Sequence, residues 1–171
     1  RSSDLVEIVL LIELTIPYAY QGGKQRIAKQ IINIIKQYIN DDKTQFYDLC
    51  CGSGSVSIEL VNQGFNPANI HMVDKSPWGL FWKQIGDGTF SLELFRSWID
   101  SVPKDISKIQ EYIRELSKVP VYKTQTDISY IFLLLQASAF GSKSIWIKDN
   151  KWQNCSFRNY WLPTETSSRR S

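Results

Sequence analysis

The sequence holds one histidine, His71, one methionine, Met72, and three cysteines, of which Cys50 and Cys51 are adjacent and Cys155 stands apart. No Cys-x-x-Cys pair is present, so neither a zinc module nor a disulfide framework is expected. Charge of one sign is scarce as well: 20 Lys plus Arg face 17 Asp plus Glu, a net +3. That balance permits a nucleic-acid partner without arguing for one. Long apolar runs are missing too. The most apolar stretch, Leu5 to Pro17, carries Glu7 and Glu13 and is too short to span a bilayer, and it lacks the basic start and small-residue cleavage site of a signal peptide. The expectation is a soluble, cytoplasmic protein with no membrane or metal partner. With no methionine ahead of Met72, the chain reads as processed, trimmed or part of a longer one.

What is present is enough apolar material for a core. Of 171 residues, 43% are hydrophobic and 13% aromatic, which fits one domain, or one and a fraction, and excludes disorder. Between Lys24 and Ile39 the apolar residues Ile27, Ile31, Ile32, Ile34, Ile35, Tyr38 and Ile39 recur at helical spacing, predicting an amphipathic helix with one buried face. Phe46 to Cys51 reads as a buried strand. Gly52-Ser53-Gly54 then opens a helix that ends at Gly64, and Ile70 to Val73 reads as a second strand capped by Asp74. This is one strand–helix–strand unit of the kind that builds a parallel sheet. Further helices are expected over Trp78 to Ile85, Leu92 to Ile99, Ile106 to Leu116 and Ile128 to Phe140, the last closed by Gly141. Ser144 to Lys148 and Lys151 to Cys155 flank Asp149-Asn150 as a hairpin, and Thr164 to Ser171 is a polar, basic end.

The chemical signal lies in Asp48-Leu49-Cys50-Cys51-Gly52-Ser53-Gly54. A strand, a Gly-x-Gly turn and a helix let backbone approach a ligand closely. A phosphate at such a turn is held by N–H groups and a positive dipole, and a carboxylate inside the turn opposes it. Asp48 instead suits a cationic ligand with a free amine. Asp74, 20 residues after Gly54, suits the hydroxyls of a ribose. S-adenosylmethionine has both features. Taken alone, the same residues also serve as a turn and a helix cap; the cysteine doublet and His71 also fit plain packing roles.

A second segment, Ile16-Pro17-Tyr18-Ala19-Tyr20-Gln21-Gly22-Gly23-Lys24, precedes the first helix. With it, the sequence resembles the Dam-like DNA adenine-N6 methyltransferases, in which a proline-led Gly-Gly-Lys segment comes before a helix and then an acidic Gly-x-Gly turn. The resemblance implies a Rossmann-like methyltransferase fold of the α/β class, complete or truncated, carrying a helical and hairpin target-recognition insertion. It implies a cofactor-binding α/β part over residues 14–90, a helical and β-hairpin recognition region over 91–163 and a tail over 164–171. Tyr20, Gly22, Lys24, Asp48, Cys50, Gly52, Gly54 and Asp74 fall in the implied S-adenosylmethionine site. Lys143, Lys151, Arg158 and Tyr160, set among Trp146, Trp152 and Trp161, fall where these enzymes contact double-stranded DNA. A basic, aromatic surface of that kind can track phosphates and stack on bases, although hairpin aromatics more often pack against neighbours.

One departure is plain. The family's catalytic loop, Asp/Asn-Pro-Pro-Tyr/Phe, orients the amine of a flipped-out adenine, and no such tetrapeptide occurs in these residues. The resemblance therefore implies either the cofactor-binding half of a restriction-modification type enzyme, completed by a second polypeptide or a missing C-terminal segment, or a non-catalytic DNA-binding relative. A methyltransferase acting on RNA or a small molecule is the remaining alternative.

Overall fold

The computed structural model describes residues 22–39, 41 and 43–157. Tyr20, Arg158 and Tyr160, together with the segments 1–21 and 158–171, lie outside the described residues. The chain divides into two compact units between Lys83 and Gln84.

In the first unit, helix α1 (Ala28–Ile35) starts four residues after Lys24, because the Ile27 N–H first closes a turn on the Lys24 carbonyl at 3.0 Å. The helix packs Ala28 and Ile32 against α2 (Ser55–Asn62), whose Leu60 is fully buried. Its apolar arc is wider than one buried face requires. Ile27 and Ile34, with Tyr38 of the following 3-10 turn (Lys36–Tyr38), stay exposed.

Strands β1 (Phe46–Asp48) and β2 (Ile70–Met72) pair in parallel, with Phe46 opposite Ile70 and Asp48 opposite Met72. Each is shorter than the apolar runs suggest, since Leu49 already begins the turn. Two further bonds nonetheless extend the ladder, Val73 N–H to the Asp48 carbonyl at 2.9 Å and Cys51 N–H to the Val73 carbonyl at 3.1 Å. On the face carrying Tyr47 and His71, the two rings stack with centroids 4.5 Å apart, and His71 Nε2 lies 2.7 Å from Gln45 Oε1. Helix α3 (Pro77–Gly86) follows β2 and buries Trp78 and Phe81.

The second unit is built around α6 (Ile128–Ser138), whose residues from Ser129 to Gln136 are all buried. It is apolar on every side, as a helix enclosed by its neighbours must be. Helix α5 (Ile106–Lys118) supplies Ile109 and Ile113. Helix α4 (Leu92–Ser101) contributes Phe95 and Trp98 to an aromatic cluster with Phe90 and Tyr130, pinned by the Tyr130 hydroxyl donating to the Ser91 carbonyl at 2.8 Å. Side chains cap all three helices: Ser91 for α4, Asp105 for α5 and Asp127 for α6 each accept backbone N–H bonds. Hydrogen bonds to Ser107 and Lys108 hold the exposed Asp105 carboxyl below its usual range.

Gly141 does not cap α6. The helix stops at Ser138, because the Phe140 N–H is drawn to the Ser156 carbonyl at 2.7 Å and Ala139 bridges Phe157; Gly141 falls in the 3-10 turn Phe140–Ser142 instead. Beyond it, β3 (Trp146–Lys148) and β4 (Lys151–Gln153) form the expected antiparallel hairpin. Asp149 and Asn150 both adopt positive φ, 50° and 58°, the two-residue turn that matches strand twist.

Helices and strands thus mix as an α/β reading requires. Among the described residues each sheet has two strands, so the larger sheet of a Rossmann-like fold is not seen there. Among the same residues no helix is long and apolar enough to cross a membrane, and no group of three or more His, Cys, Asp or Glu is placed to hold a metal.

Candidate ligand-binding site

Asp48 and Asp74 come together at the carboxyl ends of the paired strands, on either side of the turn from Leu49 to Gly54. This is the place where open α/β sheets receive ligands. The turn is braced at Gly52 from two directions. Its N–H donates to Asp74 Oδ2 at 2.7 Å, and its carbonyl accepts the Trp82 indole N–H at 2.8 Å. The other oxygen of Asp74, Oδ1, accepts the Ser76 N–H at 2.8 Å, which fixes the start of α3. Asp48 Oδ2 accepts from the Ser57 hydroxyl at 2.9 Å, tying β1 to α2. Among the described residues neither carboxylate has an ion-pair partner.

Gly54 closes the turn with φ of +80°, and its N–H returns to the Cys51 carbonyl at 2.8 Å. A Cβ on Gly54 would lie 2.6 Å from Trp82 Cζ2 and 2.9 Å from Met72 Cε. Glycine is required there both by the left-handed backbone and by the ring pressed against it. The second close approach is at Gly79 in α3, where a Cβ would collide with the Asp74 carbonyl oxygen.

Cys51 reports the electrostatics. Burial, then the negative charges of Asp74 and Asp48, push its thiol up to about 12. Burial disfavours charge of either sign; only the smaller contributions of Asp74 and Asp48 carry a sign, and that sign is negative. The raised value is a stability statement as well: the contribution is complete below pH 9 and is lost as pH rises from 9 toward 12. At pH 8 Cys51 is held as the unreactive thiol, and the side chain is buried. Alkylation of native protein with iodoacetamide at pH 8, read by peptide mass spectrometry, is therefore expected to label exposed Cys50 and spare Cys51 until denaturant is added.

Gly22 and Lys24 are exposed ahead of α1, and among the described residues no hydrogen bond or ion pair ties them to the Asp48–Asp74 pair. Cys50 lies exposed on the turn itself. In the second unit Lys143 and Lys151 are exposed; Lys151 stands directly opposite Lys148 across the hairpin. Trp152 is buried, whereas Trp146 is 48% exposed. Sequence reasoning missed the neighbours of this hairpin. The Val121 N–H bonds the Asn150 carbonyl at 2.9 Å, bringing the 3-10 turn Val121–Lys123 to the hairpin tip, with Tyr122 69% exposed and the Lys123 ammonium 5.7 Å from its ring centroid.

A parallel strand pair, a tight glycine turn and a carboxylate at each strand end thus lie together at one edge of the unit. Residues 20–74 match the family model of the D12 class N6 adenine-specific DNA methyltransferases. The matched segment runs from Tyr20 to Asp74, the outermost two of the cofactor residues singled out by sequence, so the resemblance of the N-terminal portion rests on a family match as well as on motifs. No curated protein and no solved structure matches the chain.

Proposed function

We propose that this chain provides the S-adenosylmethionine-binding part of a DNA adenine-N6 methyltransferase. The observation that carries the reading is the pair Asp48 and Asp74 at the two strand ends, flanking a glycine turn whose Gly52 N–H is held by Asp74. In this reading Asp48 and the Gly52–Gly54 backbone hold the methionine end and Asp74 the ribose hydroxyls; Tyr20, Gly22, Lys24 and Cys50 are assigned to the same site by the resemblance alone. The donor set fits. A carboxylate offers about four lone-pair sites, and the backbone bonds from Gly52 and Ser76 use two of those on Asp74. The cofactor supplies an electrophilic methyl group on a sulfonium, and the chain's own residues bind and orient it.

The sequence has no Asp-Pro-Pro-Tyr-like tetrapeptide, so under this reading the residues that hold the target amine are to be sought in a second polypeptide or a further segment. By the resemblance, Lys143, Lys151, Arg158 and Tyr160 are the candidate DNA contacts. Lys148 and Lys151 face each other as like charges, which costs stability unless an anion such as a phosphate lies between them.

Calorimetric titration with S-adenosylhomocysteine tests the cofactor reading. Wild type is expected to bind, and Asp74→Ala and Asp48→Ala to bind at least about tenfold more weakly, as expected for losing a hydrogen bond to a charged group. No binding by wild type would sink it. The missing tetrapeptide also supports a second reading, a non-catalytic DNA-binding relative. That protein would bind duplex DNA equally with and without S-adenosylhomocysteine.

A further inference from the structure

We propose that Trp82 is a positioning residue that holds the glycine turn in its ligand-ready shape. The inference rests on the cofactor reading above and adds to it a residue outside the matched segment 20–74.

Two contacts of different kinds converge on the turn from the one side chain. The indole N–H donates to the Gly52 carbonyl at 2.8 Å, across 30 positions of sequence. The benzo edge of the same ring occupies the space beside Gly54, where a Cβ would be 2.6 Å from Cζ2. With Asp74 Oδ2 on the Gly52 N–H, both backbone polar groups of Gly52 are gripped, each by a side chain. Gly52 has φ of +51° and no side chain of its own to restrain it. A glycine left free at this point has the largest backbone freedom to lose when a ligand arrives, and that loss is subtracted from affinity. Trp82 removes the loss in advance.

A packing role alone would not need the N–H. Pro77, Trp78 and Phe81 on the same helix are the buried residues, whereas Trp82 is half-buried and meets Phe81 edge-on at 4.8 Å. Trp82→Phe separates the two roles, since it keeps a ring against Gly54 and deletes only the donor.

The experiment pairs calorimetry with amide and indole hydrogen exchange by NMR. In unliganded wild type the Trp82 indole proton, assigned among the six tryptophans by triple-resonance NMR of the wild-type protein itself, is expected to exchange at least tenfold more slowly than that of the more exposed Trp146. Trp82→Phe is expected to melt close to wild type, to lose exchange protection at the Gly52 amide, and to bind S-adenosylhomocysteine about tenfold more weakly. Wild-type affinity and unchanged Gly52 protection in Trp82→Phe would overturn the proposal while leaving the cofactor reading intact. Fast exchange of the indole proton in wild type would overturn it without recourse to a variant, which covers the case of a variant that fails to fold. Absence of S-adenosylhomocysteine binding by wild type would remove the cofactor reading and this role together.

Discussion

Replacing Gln136 with leucine is expected to cost about 3 kcal/mol of folding stability, although the two side chains are close in volume. Gln136 is buried near the C-terminal end of α6 and uses both ends of its amide: Nε2 donates to the Lys143 carbonyl at 3.0 Å, and Oε1 accepts the Ile145 N–H at 3.0 Å. The two bonds hold the chain between the 3-10 turn after α6 and the start of β3. Leucine fills the space but leaves the fully buried Ile145 backbone with an unpaired donor and strands the Lys143 acceptor. Each such group costs about 1–3 kcal/mol, the part-buried carbonyl less than the buried N–H. Ser138→Ala in the same helix is the contrast. Its hydroxyl donates to the Leu134 carbonyl one turn back, a group that also accepts within the helix, so its loss is expected to cost under about 1 kcal/mol. Urea denaturation of the two variants, with unchanged m-values, measures the difference; equal midpoints would refute the assignment.

Gly79→Ala is expected to destabilise the protein and displace Asp74, against the usual benefit of alanine in a helix. Propensity favours alanine by about 1 kcal/mol. Opposing it is a Cβ that would collide with the Asp74 carbonyl oxygen, a backbone atom with no rotamer to yield. Overpacking of this kind costs about 1–3 kcal/mol and here falls at the upper end, so the clash wins by about 2 kcal/mol. Gly86 ends the same helix with open space around it. Gly86→Ala is therefore expected to be neutral or slightly stabilising. Because the Asp74 backbone must move in Gly79→Ala, its carboxylate leaves the Gly52 N–H, and binding of S-adenosylhomocysteine should fall with stability. Thermal melts of both alanine variants decide the matter: a melting point for Gly79→Ala at or above that of wild type would show that the helix start accommodates the methyl.

The local elements were readable in the sequence because their causes are local. Helical spacing marked α1, α3, α4 and α5, a long apolar run marked α6, and Asp149-Asn150 between alternating residues marked the hairpin. Asp48 and Asp74 were readable as partners because a parallel strand–helix–strand unit brings successive strand ends to one edge. What the sequence did not disclose depends on contacts between distant residues. Trp82 looks like one more apolar helix residue until its indole is seen on Gly52. Gly79 looks like a weak spot in a helix, and its reason is a carbonyl from the preceding loop. Gly141 carried a strong local capping signal, but the pull of Ser156 on Phe140 ended the helix before it. The Tyr122–Lys123 pair had no motif at all, being placed by a single backbone bond to Asn150.

The two strand ladders also imply an order of assembly. The β3–β4 hairpin closes over a two-residue turn with Lys148 opposite Lys151, a step that takes microseconds. Phe46 meets Ile70 only after the intervening turn and α2 have crossed over, so the parallel ladder bears a larger loop-closure entropy before any pairing compensates it. During synthesis β1 and β2 leave the ribosome first, yet they are the slower pair to register. The edge that brings Asp48 and Asp74 together is thus the later of the two ladders to form, despite being earlier in the chain.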